Sequence, residues 1–279
     1  MLLLSGAEKR KAISNAARAL LKPHSHFREL ALRQAGPVVA AEQAARDRAN
    51  PLSGGCRAVA AEALGTALLL AIVVGSGIMG ERLASGNTAI ALLANSLATG
   101  FGLAALILVL APVSGAHFNP LVSFVAASRR ELPWRVAAAY GIAQFAGALA
   151  GVAAAQAMFG EPLFALSTQV RAGPAHWWSE VVATFGLILV IAGCGREGFK
   201  TVAPAVGGYI AAAYWFTAST SFANPAVTIA RALTNTFTGI RPADTPGFIA
   251  AQIVGAVAAA AVARWLFVAE CSRRDVSFP

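Results

Sequence analysis

Two Asn-Pro pairs constrain the fold of this chain more than any other feature. Asn119-Pro120 and Asn224-Pro225 are each surrounded by small and apolar residues, at positions 105 residues apart. Asn caps free N–H groups at a helix start, and Pro fits the first helical turn because it has no N–H to leave unpaired. The apolar run after each Asn covers about nine residues, which as a helix is about 14 Å, or half of a bilayer. The pairs therefore predict two half-helices that begin inside a membrane.

The composition supports a membrane protein. Of the 279 residues, 57% are hydrophobic and 13% are charged, and the mean hydropathy is +0.63, unlike a soluble domain. Six apolar segments are long enough to cross the hydrocarbon core of a bilayer. They cover roughly residues 58–79, 88–111, 135–158, 178–194, 202–219 and 247–268.

Basic residues are concentrated near the N-terminus. Residues 1–57 contain ten of the 22 Lys and Arg residues but four of the 13 Asp and Glu residues. Cytoplasmic segments of membrane proteins collect Lys and Arg, so the charge does not require a nucleic-acid partner. We expect residues 1–56 to be a flexible or membrane-surface extension and residues 269–279 to be a cytoplasmic tail. The loop charges predict that both termini lie in the cytoplasm. We expect the protein itself to lie in the inner (plasma) membrane.

The two halves of the apolar region match each other. Glu62 and Thr66 open the first span as Glu180 and Thr184 open the fourth, and the third and sixth spans share a Gln-x-x-Gly-Ala pattern. Each half has three spans and one half-span, an odd number, so the halves have opposite orientations. The sequence therefore predicts an inverted repeat, with halves at about 57–159 and 177–268 and the functional site between them at the midplane.

These residues resemble the major intrinsic protein family, the aquaporins and aquaglyceroporins. The resemblance covers roughly residues 57–268 and includes the string from Ser114 to Pro120 and the Asn-Pro-Ala of residues 224–226. It implies an all-α protein with six transmembrane helices and two re-entrant half-helices. It also implies a homotetramer in the lipid bilayer, with a pore in each monomer and both Asn side chains in that pore. In this family the residues equivalent to Glu62 and Glu180 accept hydrogen bonds from the half-helix loops, and a proton-relay role is the alternative.

Several positions depart from the family pattern. The first motif contains Leu121 where the second contains Ala226, and the position that usually carries Arg is Val227. Arg231 comes one turn later, and we expect an outer-face residue there, with a pore-mouth position as the alternative. His117 is expected to anchor a loop or to line the pore. Counting back from the Asn residues predicts a selectivity filter of four side chains, which are Thr99 (or Phe101), Ala212, Ser221 and Val227.

The expected function is a passive channel for small neutral solutes. A wide filter without Arg resembles bacterial aquaglyceroporins of arsenic-resistance operons, which implies glycerol-like polyols, arsenite or methylated arsenicals, and water as solutes. A water-selective aquaporin and a secondary transporter are the alternatives, since transporters also use inverted repeats and broken helices. We expect no enzyme activity, no cofactor and no metal, because no metal-ligand or nucleophile–base spacing occurs.

Overall fold

The computed structural model describes the backbone of residues 51–267 and the side chains from Gly55 onward. The chain divides into two compact units, Met1–Cys56 and Arg57–Pro279, and the second unit contains both Asn-Pro pairs. Most of the N-terminal extension and the tail at 269–279 lie outside the described residues. All regular secondary structure in the described part is helical.

Eight α-helices follow one another in the described part of the chain. They are α1 (Pro51–Leu83), α2 (Thr88–Ser114), α3 (Pro120–Ser128), α4 (Trp134–Phe159), α5 (Pro174–Cys194), α6 (Phe199–Phe216), α7 (Pro225–Arg231) and α8 (Thr245–Leu266). Short 3₁₀ turns occur at Gly195–Glu197 and Pro242–Asp244.

Six of these helices are long and two are short, as the sequence predicts. By length and composition, α1, α2, α4, α5 and α8 can each cross a membrane. The remaining long helix, α6, has 18 residues, contains Pro204 and ends at Phe216, three residues before the predicted end of the fifth span. It packs against both α2 and α5.

Helix ends follow local capping chemistry. Asn87 precedes α2, and its side-chain oxygen accepts hydrogen bonds from the N–H groups of Ala89 and Ile90 at 3.1 and 3.3 Å. At the other end of α2, Gly115 adopts the left-handed conformation (φ 89°) and donates its N–H to the Ala111 carbonyl. This turn ends α2 and starts the loop that leads into α3.

Glycines allow the helix backbones to approach closely, in the same way in both halves. A Cβ atom at Gly147 of α4 would overlap the Ala63 carbonyl oxygen of α1. In the second half, a Cβ at Gly255 of α8 would overlap the Val181 carbonyl oxygen of α5. Such contacts are typical of membrane helices, where small residues let neighbours pack tightly. The glycines therefore fix the helix pairs from which the two re-entrant loops are held.

Candidate functional site

The first re-entrant loop is held by a buried carboxylate. Glu62 of α1 has no exposed surface. Its carboxylate accepts hydrogen bonds from the backbone N–H groups of His117 (2.9 Å) and Phe118 (2.7 Å). The Ser114 hydroxyl (2.7 Å) and the Gln144 amide (2.8 Å) also donate to it. The charge is therefore stabilised by four donors, in the loop-anchoring role that the family resemblance implies.

The second loop is held in the same way. Glu180 of α5 is also fully buried and accepts hydrogen bonds from the N–H groups of Phe222 and Ala223, both at 2.9 Å. The Gln252 amide of α8 donates to the same carboxylate at 2.6 Å. In each half the two N–H groups belong to the residues directly before the Asn. The two loop N–H bonds and the Gln bond to the carboxylate thus recur in both halves, and the Ser114 hydroxyl adds a fourth bond in the first half.

The loop backbones carry matched strain. Ala116 and Phe118 have φ of 51° and 48°, and their counterparts Ser221 and Ala223 have 50° and 48°. Residues other than Gly rarely adopt this left-handed backbone conformation, which costs on the order of 1–3 kcal/mol for each residue. The hydrogen bonds to the carboxylates offset this cost, because the left-handed turns aim the loop N–H groups at Glu62 and Glu180.

The two Asn side chains join the half-helices to each other. The amide nitrogen of Asn119 donates to the Ala223 carbonyl, and that of Asn224 donates to the Phe118 carbonyl, both at 2.8 Å. Their oxygens cap α3 and α7, through the N–H of Leu121 and the N–H groups of Ala226 and Val227. Each amide has a second N–H that these bonds do not use.

Both Asn residues line a cavity of about 440 Å³ between the two halves. The cavity extends from Arg129 and Arg196 at one end, here called the Arg196 mouth, to Tyr214 and Arg231 at the other, the Arg231 mouth. Aliphatic side chains from four helices form much of its wall, among them Leu69, Val73, Leu103, Leu187, Val206 and Ile210. The lumen is therefore amphipathic, with Asn donors at its centre and an apolar wall.

Three of the predicted filter positions line this lumen. They are Thr99, Ser221 and Val227, and the Thr99 hydroxyl lies 3.3 Å from the hydroxyl of Tyr214. The alternative to Thr99, Phe101, is 74% exposed and does not line the lumen.

The prediction for Ala212 is wrong. Ala212 is exposed on the outside of α6 and is not part of the cavity wall, whereas Tyr214 is buried and lines it. Two residues along an α-helix correspond to a rotation of roughly 200°, so an error of two in counting exchanges the outer and inner faces. Tyr214 was missed for this reason.

The expectation that Arg231 lies on the outer face is also wrong. Arg231 is the last residue of α7, is 1% exposed, and lines the lumen. Its Nε donates to the Thr238 carbonyl, and its guanidinium carbon lies 3.4 Å from the centre of the Phe222 ring. The chain turns back after α7, with the Ile240 N–H bonded to the Arg231 carbonyl, and so covers the side chain. The signal in the sequence was its spacing of four from Val227, which shares a helix face.

A second arginine near this mouth was not found from the sequence. Arg171, in the loop between α4 and α5, is half-buried, and its Nε donates to the Gly239 carbonyl at 2.8 Å. Its guanidinium carbon lies 5.4 Å from the centre of the Phe222 ring. Burial lowers the pKa of this guanidinium from its usual value. Arg171 does not line the lumen, and it fastens the loop that covers the mouth.

His117 and Leu121 have different surroundings. The Nδ1 atom of His117 lies 3.0 Å from the Ser123 hydroxyl, and His117 also lines the lumen, so both expected roles fit its position. Leu121 points away from the lumen and packs with Ile188 and the small Ala256 and Ala259. The extra bulk of Asn-Pro-Leu is therefore accommodated by small residues of α8.

Comparison with known proteins identifies the family to which this architecture belongs. The family model described as "Major intrinsic protein" matches residues 52–200 and 192–277. The chain belongs to the major intrinsic protein family. It is 57% identical over 210 residues to aquaglyceroporin AqpS of Rhizobium meliloti (strain 1021), covering 75% of this chain and 90% of that protein. Aquaporin NIP2-3 of Zea mays is 32% identical over 192 residues, or 65% of this chain and 62% of that protein.

The fold is also that of a solved member. The X-ray structure of the aquaglyceroporin from Plasmodium falciparum matches with a TM-score of 0.58 and 22% identity, over 74% of this chain and 94% of that one. Family membership and the apolar helices make this chain a membrane channel for small neutral solutes and not an enzyme. In residues 51–267, no group of three or more His, Cys, Asp or Glu side chains is placed to hold a metal ion.

Proposed function

We propose that this channel passes glycerol-sized polyols and arsenite as its neutral acid or methylated arsenicals, together with water. One observation carries the proposal: Val227, at the position where this family usually has Arg, lines the lumen. A short apolar side chain there leaves more space and fewer donors than Arg. The similarity to two proteins named aquaglyceroporins supports the same solute class.

The amphipathic lumen explains how such a solute is accepted. A polyol presents hydroxyls on one side and C–H groups on the other. Its hydroxyl oxygens accept hydrogen bonds from the second N–H of Asn119 and of Asn224, while its carbon atoms slide along the aliphatic wall. Arsenite as its neutral acid also presents several hydroxyl groups and no charge. Polyols and arsenite can thus both accept hydrogen bonds from the Asn donors at the centre of the lumen.

The half-helices oppose the passage of cations and protons. The N-termini of α3 and α7 meet at the Asn pair, and a helix N-terminus carries about half a positive elementary charge. A cation at the centre is therefore repelled by two dipoles, whereas a neutral solute is not.

We place the Arg196 mouth in the cytoplasm, with both chain termini, in the inner (plasma) membrane. Lys and Arg are more frequent on this side than on the other, which supports that orientation. Exposed Trp residues near helix ends, such as Trp134 and Trp265, suit the interface between lipid and water. We also propose a homotetramer with one lumen in each monomer, in accordance with the family resemblance.

Stopped-flow measurements on reconstituted vesicles test this function. The expected result is faster entry of water, glycerol and arsenite than into protein-free vesicles, linear in solute concentration and independent of an ion gradient. Water flux without glycerol or arsenite flux would instead identify a water-selective aquaporin. Saturable uptake driven by an ion gradient would identify a secondary transporter.

A further inference from the structure

Arg231 is a buried cation that faces the lumen without a carboxylate partner in the described part of the chain. The ion pairs found there join Arg82 to Glu161, Arg129 to Glu131, and Arg241 to Asp244. The hydrogen bond of the Arg231 side chain to Thr238 uses only Nε. No ion pair in the described residues therefore neutralises this charge, and Glu180 attracts it only from beyond ion-pair distance. A buried charge is costly unless it is paired and hydrogen-bonded.

The guanidinium is also held in place. Its carbon atom lies 3.4 Å from the centre of the Phe222 ring, a close cation–π contact, and its Nε is bonded to the Thr238 carbonyl of the covering loop. Phe222 is itself fixed, because its N–H donates to Glu180. The charge therefore stays at the mouth during solute passage.

The width of this lumen and the positive charge at its mouth are set by different residues. Val227 and Arg231 both line it, separated by four residues along the chain of α7. The single Arg of the family pattern combines narrowing with positive charge at one position. Here the short side chain of Val227 leaves the lumen wide, while a charge remains about one turn further out.

We propose that Arg231 is a specificity-determining residue that excludes cations at this mouth, without narrowing the lumen at Val227. This inference rests on the proposed channel function. It goes beyond that function because it assigns cation exclusion to a side chain in addition to the two half-helix dipoles. A cation that approaches the mouth meets a fixed positive charge in a partly desolvated site, where repulsion is stronger than in bulk water.

The test compares two solutes of similar size and shape, urea and guanidinium, in reconstituted vesicles. In the wild type, we expect urea to enter and guanidinium to be excluded. In Arg231→Gln, whose amide can still donate to the Thr238 carbonyl, guanidinium uptake is expected to rise at least about tenfold, since a tenfold change needs only ~1.4 kcal/mol. The readout is the ratio of guanidinium flux to urea flux in each protein, which is expected to rise in Arg231→Gln because charge and not width has changed.

Two variants separate charge from packing. Arg231→Lys keeps the charge and is expected to keep guanidinium out. Arg171→Gln removes the other arginine that lies beside Phe222 but outside the lumen wall. It is expected to raise guanidinium uptake much less than Arg231→Gln. Equal uptake in the two Gln variants would show that a loosened loop causes the leak, and would overturn the proposal.

A chemical switch gives a comparison within one folded protein. Arg231→Cys is expected to admit guanidinium. Reaction with aminoethyl methanethiosulfonate adds an ammonium group at this position and is expected to exclude guanidinium again. Reaction with methyl methanethiosulfonate adds no charge, so guanidinium should still enter. Treated wild-type protein controls for the native Cys56, Cys194 and Cys271. If wild-type vesicles pass no urea or glycerol, the channel function itself fails. If they pass urea and the charge at position 231 has no effect on guanidinium, only the inference about Arg231 fails.

Discussion

At the scale of single residues, two buried carboxylates organise the centre of the molecule. Glu62 and Glu180 are fully buried, and each accepts hydrogen bonds from two consecutive loop N–H groups and from a Gln side chain. A carboxylate offers about four acceptor sites, so it can satisfy several donors that would otherwise be unpaired inside a membrane. Each Glu therefore holds a strained loop through hydrogen bonds, and none of the ion pairs of the described residues includes it.

Glu62→Gln tests this role. The amide would present N–H groups where one carboxylate oxygen now accepts, leaving at least one loop donor unpaired. We expect the free energy of unfolding in detergent to fall by about 1–3 kcal/mol. Glycerol flux in vesicles should fall with it, because the loop before Asn119 loses its anchor. Glu81→Gln is the control, since Glu81 is exposed at the end of α1. Equal stability of the two variants would contradict the anchoring role.

Val227→Arg tests what sets the width of the lumen. A long cationic side chain at this lining position would fill space and add a second guanidinium near Arg231. We expect glycerol flux to fall at least about tenfold and water flux to fall less, because larger solutes are more sensitive to a narrowed pore. Both fluxes are measured by stopped-flow light scattering. Val227→Leu, which adds volume without charge, should give a smaller loss. Unchanged glycerol flux in Val227→Arg would show that the constriction lies elsewhere.

The anchoring Glu residues could be identified from the sequence, whereas parts of the lumen wall could not. Glu62 and Glu180 stand out because they recur at matched places in a repeat. The prediction of Ala212 depends on counting along a helix whose phase the sequence does not reveal, and a shift of two residues selects Tyr214 instead. The position of Arg231 depends on where α7 ends and on how the following loop folds back, which are tertiary features.

At the scale of helices, close backbone contacts determine where the loops are held. Gly147 of α4 contacts the backbone of α1, which carries Glu62, and Gly255 of α8 contacts the backbone of α5, which carries Glu180. The Gln residue that completes each carboxylate site lies three positions before each of these glycines, at Gln144 and Gln252. Helix packing and loop anchoring are therefore coupled on the same pair of helices in each half.

Gly147→Ala tests this coupling. The added methyl group would overlap the Ala63 carbonyl, so α1 and α4 would have to separate. We expect a loss of about 1–3 kcal/mol in unfolding free energy, together with reduced glycerol flux. Gly141→Ala, on the same helix but with no atom near the added methyl, is the matched control. It should be neutral, or more stable by up to about 1 kcal/mol, because Ala favours helix. Similar losses of unfolding free energy in both variants would show that the contact between Gly147 and Ala63 does not determine the stability.

At the scale of the whole molecule, the two halves share a backbone but differ in chemistry. His117 in the first loop corresponds to Phe222 in the second, and their T-shaped neighbours are Tyr140 and Phe248. Because Phe222 offers an aromatic face instead of a second polar ring, Arg231 can rest on it at one mouth only. Helix number and the half-helices follow from hydropathy and the Asn-Pro pairs. The difference between the two loops does not follow from these sequence features, since it depends on contacts between distant segments.

Deleting residues 1–50 tests whether the channel is complete without the basic N-terminal segment. Every residue that lines the described lumen lies between Leu69 and Arg231, and α1 begins at Pro51. We therefore expect glycerol flux per channel to stay within about twofold of the full chain, since solute selectivity depends on the groups that line a pore. The measurement is stopped-flow swelling of vesicles that contain equal amounts of each protein. Loss of flux at normal protein content would show that residues 1–50 contribute to the open pore. A change in protein content alone would place their role in membrane insertion, where their Lys and Arg residues favour the cytoplasmic side.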